Sequence, residues 1–307
     1  MLTHRCLVQQ FPRKGEVSNQ QGVLINRMIS QTMDSFPPIT DQEFKQFQQF
    51  IHEMAGIYLP PVKKVLVAAR LSKRLRHYHF NSYAAYFKWA TDPEHAQEQQ
   101  MMIDLLTTNE TYFFREPEHF EFLRKEILPN WHGTAPFRAW SAVCSSGEEA
   151  YTLAMVLMDF FGERTPWEVL GSDISQRMLD IAVTGHYPIT ADKMPPPPYL
   201  SRFCLKGVRT QAGSFLIDPA IRRHVQFRQI NLNKELPTLG SFDVIFLRNV
   251  LIYFDQGTKQ RLLHRLLPLL RSGGYCFFGH AESLIGIADE WVHNVISLAA
   301  PTVYRKH

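Results

Sequence analysis

The sequence predicts a doubly wound α/β domain with a small antiparallel β subdomain inserted in it, preceded by an all-helical N-terminal domain. Three observations carry that prediction. The stretch 137–161 reads as an apolar strand (Phe137–Val143), a turn of small residues (Cys144, Ser145, Ser146, Gly147) and a helix with Leu153, Val156, Leu157 and Phe160 on one face. Such a strand, tight turn and helix builds a ligand crevice at the carboxyl end of a parallel strand. Two further strand–helix steps follow, Trp167–Asp173 with Gln176–Thr184 and Phe242–Leu247 with Gln256–Leu270. Before residue 107, in contrast, the ordered pattern is helical only.

Composition narrows the function. At 307 residues, with 45% hydrophobic and 20% charged residues, the chain suits a soluble protein of two domains. A net charge of +4 is too mild to imply nucleic acid by itself. Cys6, Cys144, Cys204 and Cys276 form no CxxC pair, so no zinc cluster or disulfide framework is expected, which suits a reducing cytosol. There is no apolar run long enough to span a membrane and no signal-peptide core. A monomer is the default expectation.

The elements follow in order. Residues 1–38 are polar and weakly periodic, and read as a flexible arm closed by Pro37-Pro38. Thr40 and Glu43 resemble a capping box opening a helix with Phe44, Phe47, Ile51 and Met54 at helical spacing, stopped by Gly56 and Pro60-Pro61. A helix over 62–77 carries Lys63, Lys64, Arg70, Lys73, Arg74 and Arg76 with no acid between them, and Val65, Leu66, Ala69, Leu71 and Leu75 on its apolar side. It is either a solvated outer face or a docking face for an acidic partner. Helices over 81–90 and 95–106 complete a domain spanning 39–106, and the α/β domain takes 107–307.

The bridge 107–116, reading TTNETYFFRE, is too aromatic for a linker and too polar for plain core, so it reads as a pocket wall; a helix cap would explain only Thr107–Asn109. Glu148 and Glu149 at the turn after the first strand would repel a pyrophosphate, and no G-x-G-x-x-G is present. They suit a ligand with an ammonium and hydroxyls, or simply complement the helix dipole. Asp173, at the tip of the second strand, stands where nucleoside-binding folds hold ribose hydroxyls. Asp173-Ile174-Ser175 could equally be an N-cap for the helix Gln176–Thr184, and Asp173 can do one job and Ser175 the other. Prolines 195–198 and short apolar stretches suggest a β subdomain inserted at about 190–227, after which 225–232 resumes the sheet. Phe242–Leu247 has the apolar run of a central parallel strand and ends in Arg248-Asn249, inside the crevice. Gly273-Gly274 is expected to stop the helix Gln256–Leu270, and 292–304 to form one or two edge strands.

Taken together, TTNETYFFRE at 107–116, SSGEE at 145–149, Ser-Asp-Ile at 172–174, RNVLIYF at 248–254 and GHAES at 279–283 resemble the CheR-type chemotaxis receptor methyltransferases, from about residue 40 onward. The resemblance implies a Rossmann-like S-adenosylmethionine-dependent methyltransferase. It implies transfer of the methyl group to glutamate side chains of the cytoplasmic domain of chemoreceptors, giving γ-methyl esters and S-adenosylhomocysteine. It assigns cofactor contacts to Asn109, Thr111, Arg115, Glu149, Asp173, Asn231, Leu232, Leu247 and Arg248, to which Asn249 is added by adjacency. Arg115 and Tyr253 would lie near the transferring methyl. Lys63, Arg70, Lys73, Arg74 and Arg76 would dock the receptor, and the β subdomain binds, in some members, a tethering peptide at the receptor C-terminus.

The chemistry agrees with what the sequence lacks. A carboxylate is already ionised at neutral pH, so its methylation needs no general base, metal or covalent nucleophile; alignment of sulfonium and carboxylate is the main task, worth roughly 7–11 kcal/mol. Glu149 is expected to pair with the cofactor's amino group and Asp173 with its ribose, with Arg115 steering the acceptor and Tyr253 walling the methyl. Two other readings stay open: a cofactor-binding docking protein without turnover, and a methyltransferase acting on RNA, although no nucleic acid is the expected partner.

Overall fold

The computed structural model describes residues 38–284, 287 and 290–307, so the expectation of an N-terminal arm lies outside the described residues. The helical domain begins with α1 (Asp41–Ala55), set by the capping box: Thr40 Oγ1 accepts from the Glu43 amide, and the Glu43 carboxylate accepts from the Thr40 amide. Gly56, at φ +74, ends it in a left-handed cap. Next come α2 (Lys64–His77), α3 (Tyr83–Ala90) and α4 (Ala96–Leu106), α2 being entered by a 3-10 turn at Pro61–Lys63. Phe47, Ile51, Leu71, Leu75, Tyr86 and Met102 close the domain's core.

The apolar side of α2 differs from the sequence reading. Val67, Leu71 and Leu75 are buried at a spacing of four, whereas Val65 is 75% exposed and Ala69 is exposed. The stripe that fits the core is set by register with α1 and α4, which local composition does not reveal.

A short helix α5 (Pro117–Phe122) leads into the α/β domain, made of β1 (Phe137–Ser141), α6 (Glu148–Phe161), β2 (Trp167–Asp173) and α7 (Gln176–Thr184). A small unit follows: β3 (His186–Pro188), α8 (Pro197–Phe203), β4 (Cys204–Lys206), β5 (Ser214–Ile217) and α9 (Pro219–Arg222), its strands ordered β3-β5-β4 and antiparallel. The chain then returns through β6 (Val225–Gln229), β7 (Phe242–Leu247), α10 (Gln256–Leu266), β8 (Leu270–Phe278), α11 (Glu290–Val295), β9 (Ile296–Ala300) and β10 (Val303–Lys306). The small sheet starts at His186, and β6 pairs parallel with β2. The expected insertion limit of 190 therefore falls just after β3, inside the small unit, and that of 227 falls inside β6 of the main sheet.

The main sheet runs β6-β2-β1-β7-β8-β10-β9, parallel from β6 to β8 and antiparallel beyond. β7 is buried at every position, as its apolar run requires. Strand order reverses between β1 and β7, which places a crevice beyond their carboxyl ends.

Two expectations at the C-terminal end are corrected. The helix α10 stops at Leu266, where Pro268 enters a 3-10 turn at Leu267–Leu269; Gly273 and Gly274 lie within β8 instead. There the pairing with β7 shifts register, and a Cβ on Gly274 would come 2.8 Å from the Asp243 carbonyl oxygen, so the pair serves close strand approach. The tail begins as helix α11, which includes Val292, and β10 is an inner strand with β9 at the edge.

Candidate functional site

A cavity of about 320 Å³ opens at the carboxyl ends of the central strands, between the two domains. That volume lies in the range of small-molecule pockets. The bridge contributes Asn109, Thr111 and Arg115 to its lining. The crevice contributes Glu149, Asp173, Asn231, Leu232, Arg248, Asn249 and Tyr253. Leu247 is fully buried in β7 and does not line the cavity, so any contact it makes with a ligand is not through an exposed wall.

The turn after β1 is held in shape by its own small residues. Ser145 and Gly147 both adopt positive φ, and a Cβ on Gly147 would sit 2.8 Å from the Ala182 Cβ. This turn aims the Ser145 amide at Asp173 Oδ2, at 2.8 Å, while Oδ1 accepts from the Ser175 amide at 2.9 Å. Ser175 itself caps α7 through its hydroxyl. The two roles weighed for the 173–175 segment are thus divided: Ser175 caps, and Asp173 braces the turn while lining the cavity. Each Asp173 oxygen has a lone pair left for a hydroxyl donor. Burial pushes its carboxyl above the usual range despite the backbone donors.

Glu149 accepts from the Ser141 hydroxyl at 2.7 Å and from Arg248 Nη1 at 2.8 Å. Burial pushes its carboxyl up, with Arg248 acting against the shift. The sequence reading gave Glu149 and Arg248 separate contacts with a ligand; the structure pairs them with each other. Arg248, its side chain 1% exposed, also donates through Nη2 to Glu116 Oε2 at 2.8 Å and to the Arg115 carbonyl. Burial works against an ionised Glu116, but the Arg248 charge and hydrogen bonds hold its carboxyl at about 2.

Glu116 and Glu282 are the site residues that sequence reasoning did not assign. Glu116 also accepts from the Asn249 side-chain amide. Glu282, 4% exposed, accepts from the amides of Gly279, Asn249 and Ile252. It thereby fixes the loop that carries Arg248 and Tyr253, including the left-handed Asn249 at φ +59. Both acids stand inside stretches already singled out, FFRE and GHAES; a lone acid there gave no sign of which amides it would face.

Arg115 donates to the Glu110 carbonyl at 2.7 Å and packs its guanidinium over the Tyr112 ring. Tyr253 lies half-buried in the cavity wall, its carbonyl accepting from the Tyr58 amide. The Asn231 side chain donates to the Met54 carbonyl at 2.6 Å, and Asn233 donates to the Glu53 carbonyl. Asn231 and Tyr253, expected only to touch a ligand, therefore also latch the helical domain onto the cavity, and Asn233, to which the sequence reading gave no role, adds to the latch.

The basic helix α2 divides in two. Lys63, Lys73 and Arg76 are exposed. Arg74 instead clamps the buried Glu98, which also accepts from the Tyr86 hydroxyl, so its expected docking role is corrected to an internal pair. Arg70 donates to the Leu105 and Thr107 carbonyls and lines the cavity with Lys63. The unpaired carbonyls at the end of α4 explain that position.

An acid at the second strand tip, an acid at the first helix N-terminus and an apolar-walled cavity fit a nucleoside-linked amino acid. Two carboxyls raised by burial suit a ligand that supplies hydroxyl donors and a cation. This is the architecture of S-adenosylmethionine-dependent methyltransferases. Residues 109–298 match the family model described as CheR methyltransferase, SAM binding domain, and residues 42–107 match the CheR methyltransferase, all-alpha domain. The chain is 40% identical over 248 residues to a chemotaxis protein methyltransferase 2 of Pseudomonas aeruginosa, covering 80% of this chain and 88% of that one. It is 35% identical over 268 residues to the chemotaxis protein methyltransferase of Salmonella typhimurium, covering 87% and 90%. With that of Escherichia coli it shares 37% identity over 247 residues, covering 80% and 85%. The chain belongs to the CheR methyltransferase family, and is an S-adenosylmethionine-dependent methyltransferase of chemotaxis. No described helix is long and apolar enough to cross a membrane.

Proposed function

We propose that this chain methylates glutamate side chains on the cytoplasmic domain of chemoreceptors, forming γ-methyl esters. The observation that carries the reading is the charge layout of one cavity. Its floor holds Glu149 and Asp173, and its lip holds Lys63, from the turn that enters α2, and Arg70 of α2, with Lys73 and Arg76 exposed farther along that helix. A cationic cofactor suits the floor and an acidic acceptor suits the lip. Bound S-adenosylmethionine would supply an electrophilic methyl group, and the acceptor carboxylate, ionised at neutral pH, needs no base to attack it.

The chain's own residues would bind, align and exclude water. Asp173 would accept from ribose hydroxyls through its remaining lone pairs. Glu149, held by Arg248 and Ser141, would face the amino-acid end of the cofactor, with Asn109, Thr111, Asn231 and Leu232 around it. Arg248 and Asn249 would act chiefly by holding Glu149 and the Tyr253 loop in place. Arg115, loosely tied by one carbonyl and one ring, is free enough to swing toward an acceptor carboxylate, and Tyr253 would confine the methyl group. Alignment is where the larger share of rate would come from, since charge attraction fades as the methyl moves.

Docking is assigned to the exposed stripe of Val62, Val65, Lys73 and Arg76, apolar at one end and cationic at the other, which suits an amphipathic acidic helix. The edge strand β4 of the small sheet offers unpaired backbone to an extended peptide at the receptor C-terminus. Its turn is compact: a Cβ on Gly207 would collide with the Gln211 carbonyl oxygen. The test is incubation with receptor and methyl-labelled S-adenosylmethionine, followed by mild base. Label released as volatile methanol from receptor glutamates supports the reading; base-stable label, or label on RNA instead, overturns it.

A further inference from the structure

Behind the cofactor end of the cavity, α5 and the loop after β8 bring Glu116, His119 and His280 together, with one ligand-capable atom of each within 4.8 Å of the others. None of the motifs read above gives the two histidines a role. His119 is 2% exposed, and its tautomer is set by its neighbours. Its Nε2 lies 2.9 Å from Thr302 Oγ1, and that hydroxyl spends its own proton on the Pro301 carbonyl. Thr302 therefore accepts, Nε2 carries the hydrogen, and Nδ1 presents a bare lone pair. Yet Nδ1 is buried without a hydrogen-bond partner and stands 3.5 Å from Glu116 Oε2, itself an acceptor. Two acceptors facing each other in a buried place repel unless something positive lies between them. His280 Nε2 sits 2.8 Å from Glu118 Oε1, so a carboxylate holds that ring's hydrogen and leaves its Nδ1 bare in the same way.

We propose that Glu116, His119 and His280 form a site for a divalent transition-metal ion of the zinc type. The donor set, two imidazoles and a carboxylate, is one that zinc favours. Ligand atoms about 2 Å from a tetrahedral zinc lie about 3.3 Å apart, close to the separation of Nδ1 and Oε2. Thr302 and Glu118 supply the outer hydrogen bonds that orient metal-binding imidazoles. The ion takes no part in methyl transfer. It pins α5 to the loop after β8, and so buttresses Glu116, which in turn holds Arg248. The cost is that Glu116 Oε2 is shared with the Arg248 guanidinium, so affinity is moderate rather than that of a closed structural zinc site.

The full chain, stripped with chelator, is titrated with zinc chloride by calorimetry, and its thermal midpoint is followed with and without zinc. One equivalent should bind, with a Kd of about 10 µM or tighter, and raise the midpoint in proportion to occupancy. His280→Gln changes a half-exposed side chain and should weaken binding at least tenfold, abolishing the midpoint shift. His119→Gln, checked for folding by circular dichroism, should bind no zinc; if it does not fold, His280→Gln decides alone. Absence of saturable binding overturns the proposal. Equal binding by His280→Gln also overturns it, because the ion would then sit elsewhere, for example on the histidine or cysteine of residues 1–37.

Discussion

Arg248 illustrates how much of this site depends on single side chains. Nearly unexposed, it meets Glu149 and Glu116 on two sides and the rings of Phe120 and Phe246 on its faces. Removing it leaves two buried carboxylates facing each other, so Arg248→Ala should lower stability by about 3–5 kcal/mol, read by urea unfolding. Tyr253→Phe keeps the wall and deletes a hydroxyl; turnover should fall several-fold with cofactor affinity within twofold, and unchanged turnover would refute its role. Asp173 carries a pH signature. Its carboxyl is raised by burial, and hydroxyl donors favour its ionised form, so cofactor affinity should weaken as acidification protonates it. Calorimetry across pH should show that dependence lost in Asp173→Asn. At this scale the sequence was readable where chemistry and strand position coincide, as at Asp173 and Glu149. It was silent on partners: that Arg248 would answer Glu149 across 99 residues, or that Arg74 would turn inward to Glu98, depends on three-dimensional register.

Among the elements, α2 and α4 show how a charge pair can staple helices. Burial alone would raise the Glu98 carboxyl, but Arg74 and the Tyr86 hydroxyl outweigh it and hold it below its ordinary value of 4.5. A depressed carboxyl contributes its stability above that ordinary value and loses it as pH falls below. Glu98→Gln should therefore cost about 3 kcal/mol at neutral pH, the low end for a broken buried pair because Arg74 still reaches water. The deficit should shrink in melts below pH 4, and a deficit independent of pH would contradict the pairing. Thr40→Ala should cost about 1 kcal/mol by removing the cap of α1. Elements bounded by side-chain chemistry were legible, including the capping box and the limits of β2, α7 and β7. Those bounded by tertiary fit were not. Gly273-Gly274 looks like a helix stop, but it answers a shift between β7 and β8 that only the paired strand reveals.

For the whole molecule, function rests on a cleft shared by two domains. The helical domain does not merely sit beside the catalytic one: Asn231 and Asn233 grip the end of α1, and Arg70 reaches from α2 into the cavity. A receptor docked on α2, as proposed, would therefore meet the cavity wall directly. Reversing charge at Lys73 and Arg76 should raise the receptor KM about tenfold while leaving cofactor affinity unchanged, and added salt should raise the wild-type KM in the same direction. The most direct measurement is calorimetric titration of S-adenosylhomocysteine into wild type and Asp173→Ala. The wild type should bind one equivalent and the variant at least tenfold more weakly, the loss expected for a hydrogen-bonded charged group. A wild type without measurable affinity, or a variant that binds equally well, would contradict the placement of the cofactor at these strand tips.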